Sequence, residues 1–191
     1  MWDHSTETLL QRYGDEAQCR ECLHRKSFYS YKRTLTCFQL PVIILSALSG
    51  SIQFLSKSFE TAMVERAVVT CTASLSILTA VLSSVQSYLK LGEKASRHES
   101  AEVAWQNLHN SIKHQLGLAR GLREDCSTFV DRVKQEYDRL FEISPILDQR
   151  FINEVRKKLR GGQHDEFHIP NYLNGFAPTR VFQEGWESNS P

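Results

Sequence analysis

The chain has 191 residues and a formal net charge of +1, from 23 basic and 22 acidic side chains. This near balance lacks the excess of positive charge that is typical of nucleic-acid-binding proteins, so we predict no nucleic-acid partner. Hydrophobic residues make up 41% of the chain. They are concentrated in two windows, and the rest of the chain is highly charged.

The N-terminal segment, residues 1–33, has the pattern of an amphipathic helix. Its apolar residues recur at helical spacing, and Asp3 or Ser5 is placed to cap the first turn. The end of the segment is basic, with no acidic residue after Glu21. We therefore predict a cytosolic helix that leads into the first apolar window.

Two uncharged windows follow, at residues 34–56 and 67–89. Each holds about 23 residues, which as a helix would cover about 34 Å, enough for the ~30 Å hydrocarbon core of a bilayer. A short polar connection separates them. We predict a transmembrane helical hairpin over residues 34–89. The alternative is a pair of buried helices in a soluble bundle, which the many Ser, Thr and Gln residues favour.

Basic residues cluster at the outer ends of the two windows. They are Arg25, Lys26, Lys32 and Arg33 before the first window, and Lys90, Lys94 and Arg97 after the second. The connection contains only Lys57 and Arg66 near the spans. Because cytosolic flanks carry the excess of Lys and Arg, we predict a multi-pass protein with two spans and both termini in the cytosol.

The first window contains small residues and a glutamine that predict helix contacts. The small residues form two pairs four positions apart, Ser46 with Gly50 and Ala47 with Ser51. Such pairs let another helix approach closely. Gln39 and Gln86 would lie near the same interface of an antiparallel hairpin, so we predict that these two amides form an interfacial pair.

The second window carries hydroxyl side chains at steps of four, three, four and four residues. This hydroxyl stripe consists of Thr72, Ser76, Thr79, Ser83 and Ser87. Residues at these steps share one face of a helix. Two interpretations compete: the stripe packs against the first span, or it faces water in an oligomeric pore.

Helical periodicity continues after the second window. Residues 90–160 predict a cytosolic helical region, in which the second span continues as one long helix and two shorter helices follow. Ser144 and Pro145 have the pattern of a cap and first residue for the last of them. Residues 161–191 contain several Pro, Gly and aromatic residues. They predict an extended arm that packs on its own core, on a neighbouring subunit or on a protein partner; the alternative is a flexible tail. The predicted fold class is all-α.

The sequence contains no recognisable catalytic motif. GxSxG, HExxH, P-loop and GxGxxG patterns are absent. Cys19 and Cys22 form a single CxxC, which is a weak signal for a metal or redox site. We therefore predict that the protein is not an enzyme and uses no cofactor and no metal ion.

Three stretches together resemble the SLATT superfamily of two-span membrane proteins. They are HRKSFYSYKR at residues 24–33, PVIILSALSGSI at 41–52, and SILTAVLSSVQSYLKLGEKASRHESAEVAWQNLHNSI at 76–112. The resemblance covers residues 13–112 and runs more weakly to residue 159. It implies a membrane effector that forms pores, often beside nucleotide-signalling or other conflict systems. The family has no catalytic residues to carry over.

Two functional hypotheses follow from the sequence. In the first, the chain is a homo-oligomer that forms a pore or perturbs the bilayer, and its cytosolic helices control assembly. In the second, it is a non-conducting scaffold or anchor of a cellular or virion membrane, which binds a partner through its cytosolic helices and its C-terminal arm. Conductance separates the two.

Overall fold

The computed structural model describes residues 2–56 and 62–161. The elements in chain order are α1 (His4–Ser56), α2 (Ala62–Leu89), α3 (Leu91–Gly117), a short 3-10 turn (Arg120–Leu122), α4 (Cys126–Ile143) and α5 (Gln149–Gly161). The described part of the chain is all-helical and contains no strand. The predicted fold class is confirmed at this level. The connection at 57–61 and the predicted arm from residue 162 lie outside the described residues.

Helix α1 joins the predicted N-terminal helix and the first predicted span in one element of 53 residues. It begins after Asp3, whose carboxylate accepts the Thr6 backbone N–H at 2.8 Å. A capping carboxylate of this kind satisfies an amide that the first helical turn leaves without a partner. Pro41 lies inside the helix and does not end it.

The second predicted span and the helix after it are not continuous. Helix α2 ends at Leu89, and Lys90 has φ 48° and ψ 40°, in the left-handed region, before α3 starts at Leu91. The expectation of one uninterrupted helix is therefore wrong at this residue. Gly92, the weak breaker in the sequence, lies inside α3.

The cytosolic part of the predicted layout forms a helical bundle with one main core. The N-terminal half of α1 packs along α3, and α4 closes the core. Its buried side chains are Leu10, Ala17, Ala101, Trp105, Leu108, Ile112, Phe129, Val133 and Leu140. Burial of a large apolar side chain contributes about 1.5–3 kcal/mol, so this cluster is the main source of stability outside the apolar windows.

Helix α5 packs on α1 through a second, smaller cluster, in which Cys19, Leu23 and Val155 are buried. It starts at Gln149, four residues later than the Ser-Pro pattern predicts. The carboxylate of Asp148 accepts the Arg150 backbone N–H at 2.9 Å. The Ser144 hydroxyl instead accepts the indole N–H of Trp105 at 2.9 Å. Ser144 therefore ties the end of α4 to the core instead of capping α5.

Two segments are long and apolar enough to cross a membrane. One lies in His4–Phe54 and the other in Met63–Gly117, with mean hydropathy of 1.7 and 1.9 over their most apolar 18 residues. Only 0% and 6% of these windows are buried inside the protein. The windows are therefore not the core of a soluble bundle within the described chain.

Candidate functional site

The two apolar windows pack on each other along a single seam. In the first window the seam consists of Leu35, Phe38, Val42, Leu45, Ser49 and Ile52, and in α2 of Val68, Thr72, Leu75, Thr79, Leu82, Gln86 and Leu89. The other side chains that the structure describes in these windows are exposed. Both sets alternate steps of three and four residues, which is the heptad pattern of coiled-coil packing. The hairpin thus has one narrow internal face and a wide external one.

The hydroxyl stripe of α2 divides between these two faces. Thr72 is 6% exposed and Thr79 is half-buried, so both lie on the seam with α1. Their hydroxyls donate to backbone carbonyls of their own helix, Thr72 to Val68 at 2.9 Å and Thr79 to Leu75 at 2.8 Å. These two threonines fit the packing interpretation, because a hydroxyl that is bonded within its helix can lie in an apolar contact.

The three serines of the stripe lie on the external face. Ser76, Ser83 and Ser87 are exposed, and within the described part of the chain their hydroxyls have no hydrogen-bond partner. By contrast, the exposed Ser74 and Ser84 donate to backbone carbonyls one turn earlier, at 2.9 and 2.8 Å. A hydroxyl without a partner is costly in hydrocarbon. These three serines therefore favour contact with water or with another polar surface.

The small residues of α1 also lie outside the seam. Ser46, Ala47, Gly50 and Ser51 are all exposed. A Cβ added at Gly50 would meet no atom within 4 Å. The small-residue face therefore does not serve the packing of α1 against α2, and it leaves room for another helix.

The two glutamines lie on different faces of the hairpin. Gln39 is exposed and Gln86 is half-buried on the seam. Within the described residues no hydrogen bond joins them. Their predicted coupling stays a prediction, and a double-mutant cycle with Leu at both positions measures it.

A buried histidine pair joins α1 to α3 just outside the apolar windows. The Nδ1 atoms of His24 and His98 are 3.0 Å apart, and the two residues are 0% and 4% exposed. Tyr31 stacks on the ring of His98 with ring centroids 5.4 Å apart. Burial, with the charges of His98 and Arg20, lowers the pKa of His24 to about 3, and burial lowers the pKa of His98. Both rings are therefore neutral near pH 7.

The sequence prediction did not identify this pair. The available signal was that each histidine occupies an apolar position of its helical pattern, between Ala17 and Tyr31 in α1 and between Ala95 and Ala101 in α3. Which residue faces it depends on how the two helices are aligned, and periodicity does not fix that alignment.

The CxxC does not form a shared site. Cys19 is buried and Cys22 is exposed. Burial raises the pKa of the Cys19 thiol to about 12, which keeps it protonated and unreactive. Among the described residues, no group of three or more His, Cys, Asp or Glu side chains is placed to hold a metal ion.

Comparisons with known proteins give no match to this chain, whether with family models, with curated proteins or with solved structures. The features that bear on function are therefore the external face of the hairpin, the histidine pair and the helical bundle next to it.

Proposed function

We propose that the chain is an oligomeric integral membrane protein of SLATT type that forms a pore or perturbs the bilayer. Residues 34–56 and 67–89 span the membrane, both termini are cytosolic, and the cytosolic helices control assembly. The single observation that carries this proposal is the exposure of Ser76, Ser83 and Ser87 on the flank of α2, beside the seam with α1 and outside the contact with it. Around a common axis, this flank would present hydroxyls to water.

The geometry of the hairpin also supports an assembly of several copies. One hairpin has a single seam of two helices and encloses no channel, so a pore of this architecture needs further copies of the chain. The exposed small residues around Gly50 supply a face on which the backbone of a neighbouring helix can approach. The external serines and the small-residue face thus have complementary roles in one oligomer.

A flux assay on the purified protein in liposomes tests this function. The wild-type protein is expected to release a small trapped ion, and the variant Ser76→Leu/Ser83→Leu is expected to lose most of that flux, because leucine removes the hydroxyls and narrows the pore. The matched control is Ser74→Leu/Ser84→Leu. These serines are also exposed, but they bond within their own helix and lie on other faces.

The two pairs of substitutions give distinct outcomes. Equal loss in both variants would assign the effect to hydrophobicity and would contradict a pore lined by the stripe. A wild-type protein that inserts, assembles and releases nothing would favour the second candidate, a non-conducting scaffold. That candidate draws support from the bundle, which exposes Phe141, Ile143 and Ile146 by 58%, 62% and 96% as a surface for a protein partner.

A further inference from the structure

The strongest unexplained feature outside the apolar windows is the His24–His98 pair. It is a side-chain contact between two buried polar groups that lie 74 positions apart in the chain. Each helix that holds a histidine leads into an apolar window. His24 precedes residue 34 by ten positions, and His98 follows Leu89 by nine. Loss of the contact between the two histidines would therefore loosen α1 from α3 next to the place where both helices lead into the apolar windows.

The hydrogen bond between the two rings can form when both rings are neutral or when only one of them is charged. At 3.0 Å between the Nδ1 atoms, one ring donates its N–H and the other accepts with its lone pair. When both rings are charged, two N–H groups face each other and the bond is lost. The first proton is already unfavourable, because it places a charge in a site that excludes water.

The Nε2 atom of His24 adds to this constraint. It is buried, and no hydrogen-bond partner is present for it in the described part of the chain. An imidazolium at this position would carry an N–H that is neither hydrated nor bonded. The geometry thus gives His24 no route to a stable charged form while α1 and α3 stay packed.

The ionisable groups around the pair do not offset this cost. On α1, Arg20 lies one turn before His24 and its positive charge opposes protonation. The nearby carboxylates are engaged elsewhere: Glu21 of α1 and Glu102 of α3 both pair with Arg25, at 2.5 and 2.7 Å. Glu154 of α5 pairs with Lys26.

We propose that the His24–His98 pair is an acid-sensitive clamp, which holds α1 against α3 at neutral pH and releases them when the cytosolic side is acidified. The inference does not depend on conduction through the hairpin. It concerns the packing of the bundle beside the membrane, and the coupling holds for a pore or for a scaffold.

The expected size of the effect follows from proton linkage. In the open state each histidine regains an ordinary pKa near 6.5. At pH 5 each such ring therefore shifts the balance towards the open state about 30-fold relative to pH 7.5, as long as the closed pair stays neutral. The stabilisation that the clamp supplies is present above pH 6.5 and is lost as the pH falls below that value.

Hydrogen exchange of the full chain in lipid nanodiscs tests the clamp. Exchange is measured between pH 7.5 and pH 4.5 and corrected for the intrinsic pH dependence of amide exchange. In the wild type, protection of the backbone around residues 19–31 and 91–105 is expected to fall by at least about 30-fold at pH 5, the change of one histidine. The variant His24→Phe/His98→Phe keeps two rings and removes the titration, so its protection is expected to stay constant.

A second histidine variant and a direct titration complete the test. His114→Gln changes an exposed histidine of α3 and is expected to keep the wild-type transition. Side-chain NMR of the wild type, which needs no variant to fold, is expected to show His24 titrating well below pH 6.5. Ordinary titration of both rings near pH 6.5 without loss of protection would overturn the proposal, and so would an unchanged transition in the double variant.

Discussion

At the scale of single residues, Trp105 combines three kinds of interaction in the core of the bundle. Its ring is fully buried, it meets Tyr137 edge-on with centroids 5.4 Å apart, and the guanidinium of Arg20 lies 5.1 Å from its centroid. Its indole N–H donates to the hydroxyl of Ser144. Trp105 of α3 thus contacts Arg20 of α1, Tyr137 of α4 and Ser144, which directly follows α4.

This arrangement predicts different costs for two substitutions of Trp105. Trp105→Ala is expected to lower the free energy of unfolding by about 3–5 kcal/mol, because it leaves a large cavity in the main core. Trp105→Phe keeps most of the aromatic surface and loses the hydrogen bond to Ser144, a net contribution of about 1 kcal/mol. Urea unfolding in a mild detergent, followed by circular dichroism, measures both. Equal costs would mean that the indole hydrogen bond, and not the packing, dominates.

Glu7 fixes the end of the bundle farthest from the apolar windows. Its carboxylate accepts hydrogen bonds from Arg120 at 2.9 and 2.8 Å and from Arg123 at 2.6 Å. Hydrogen bonds from these two arginines lower the pKa of Glu7 to about 2. Arg123 also lies over the ring of Trp2, 5.0 Å from its centroid, so the carboxylate orders the loop between α3 and α4.

The sign of the pH dependence at Glu7 follows from this lowered pKa. A carboxylate with a lowered pKa in the folded state stabilises that state above its ordinary pKa of 4.5, and the stabilisation is lost as the pH falls towards 2. The variant Glu7→Gln is expected to have a lower urea midpoint than the wild type at pH 6 and a smaller difference at pH 3. A constant difference between the two pH values would show that the ion pairs with Arg120 and Arg123 do not contribute.

At the scale of elements, the break at Lys90 brings the apolar face of α3 onto the same side as the apolar seam of α2, so that both face α1. On one continuous helix the two faces would be out of phase. Continuing the three–four steps of α2 beyond Leu89 would place Glu93 and Ser96 against α1. The buried residues of α3 are instead Leu91, Ala95 and His98. Leu89 and Leu91 are about 200° apart on a continuous helix. The left-handed residue between them rotates α3 so that its apolar stripe faces α1.

This comparison shows what the sequence could and could not predict. The length of the two windows and their lack of charge predicted both apolar helices, and the helical periodicity after residue 90 predicted α3. The break itself has no local signal, because lysine rarely adopts positive φ and the nearest glycine, Gly92, is helical. The sequence also contains no signal for the different positions of Thr72, which lies on the seam, and Ser76, which lies outside it. Their positions depend on how α2 is rotated about its axis against α1.

The backbone conformation of Lys90 makes this residue a test of the break. Lys90→Gly is expected to stabilise the protein by up to about 1 kcal/mol, because glycine adopts the left-handed region without strain. Lys90→Val is expected to destabilise it, since a β-branched residue is disfavoured there. Thermal unfolding in detergent measures both, with Lys94→Val as the control at an exposed helical position. A stabilising Lys90→Val would indicate one continuous helix.

At the scale of the whole molecule, the chain divides into a closed bundle and an open hairpin. The bundle buries one main apolar core, although it leaves Phe141, Ile143 and Ile146 exposed. The hairpin leaves Leu40, Ile43, Ile44, Phe54, Met63 and Ile77 more than half exposed. Such a surface is stable in a bilayer, where lipid covers it. Acyl chains offer no hydrogen-bond partner to the exposed serines. In the oligomer that we propose, further copies of the chain would cover these serines and the small-residue face around Gly50.

A substitution at Gly50 tests whether a second copy occupies that space. Gly50→Ile leaves the hairpin intact, because no atom lies within 4 Å of the added Cβ, but it blocks the close approach of another helix. The oligomer is therefore expected to dissociate while thermal stability stays near that of the wild type.

The matched control is Cys37→Ile, a change to the same residue at an exposed position on another face of α1. Subunit counting in nanodiscs by photobleaching measures the outcome. A wild-type monomer would contradict the oligomer, and an oligomer that persists in Gly50→Ile would place the subunit contact on the serine face of α2.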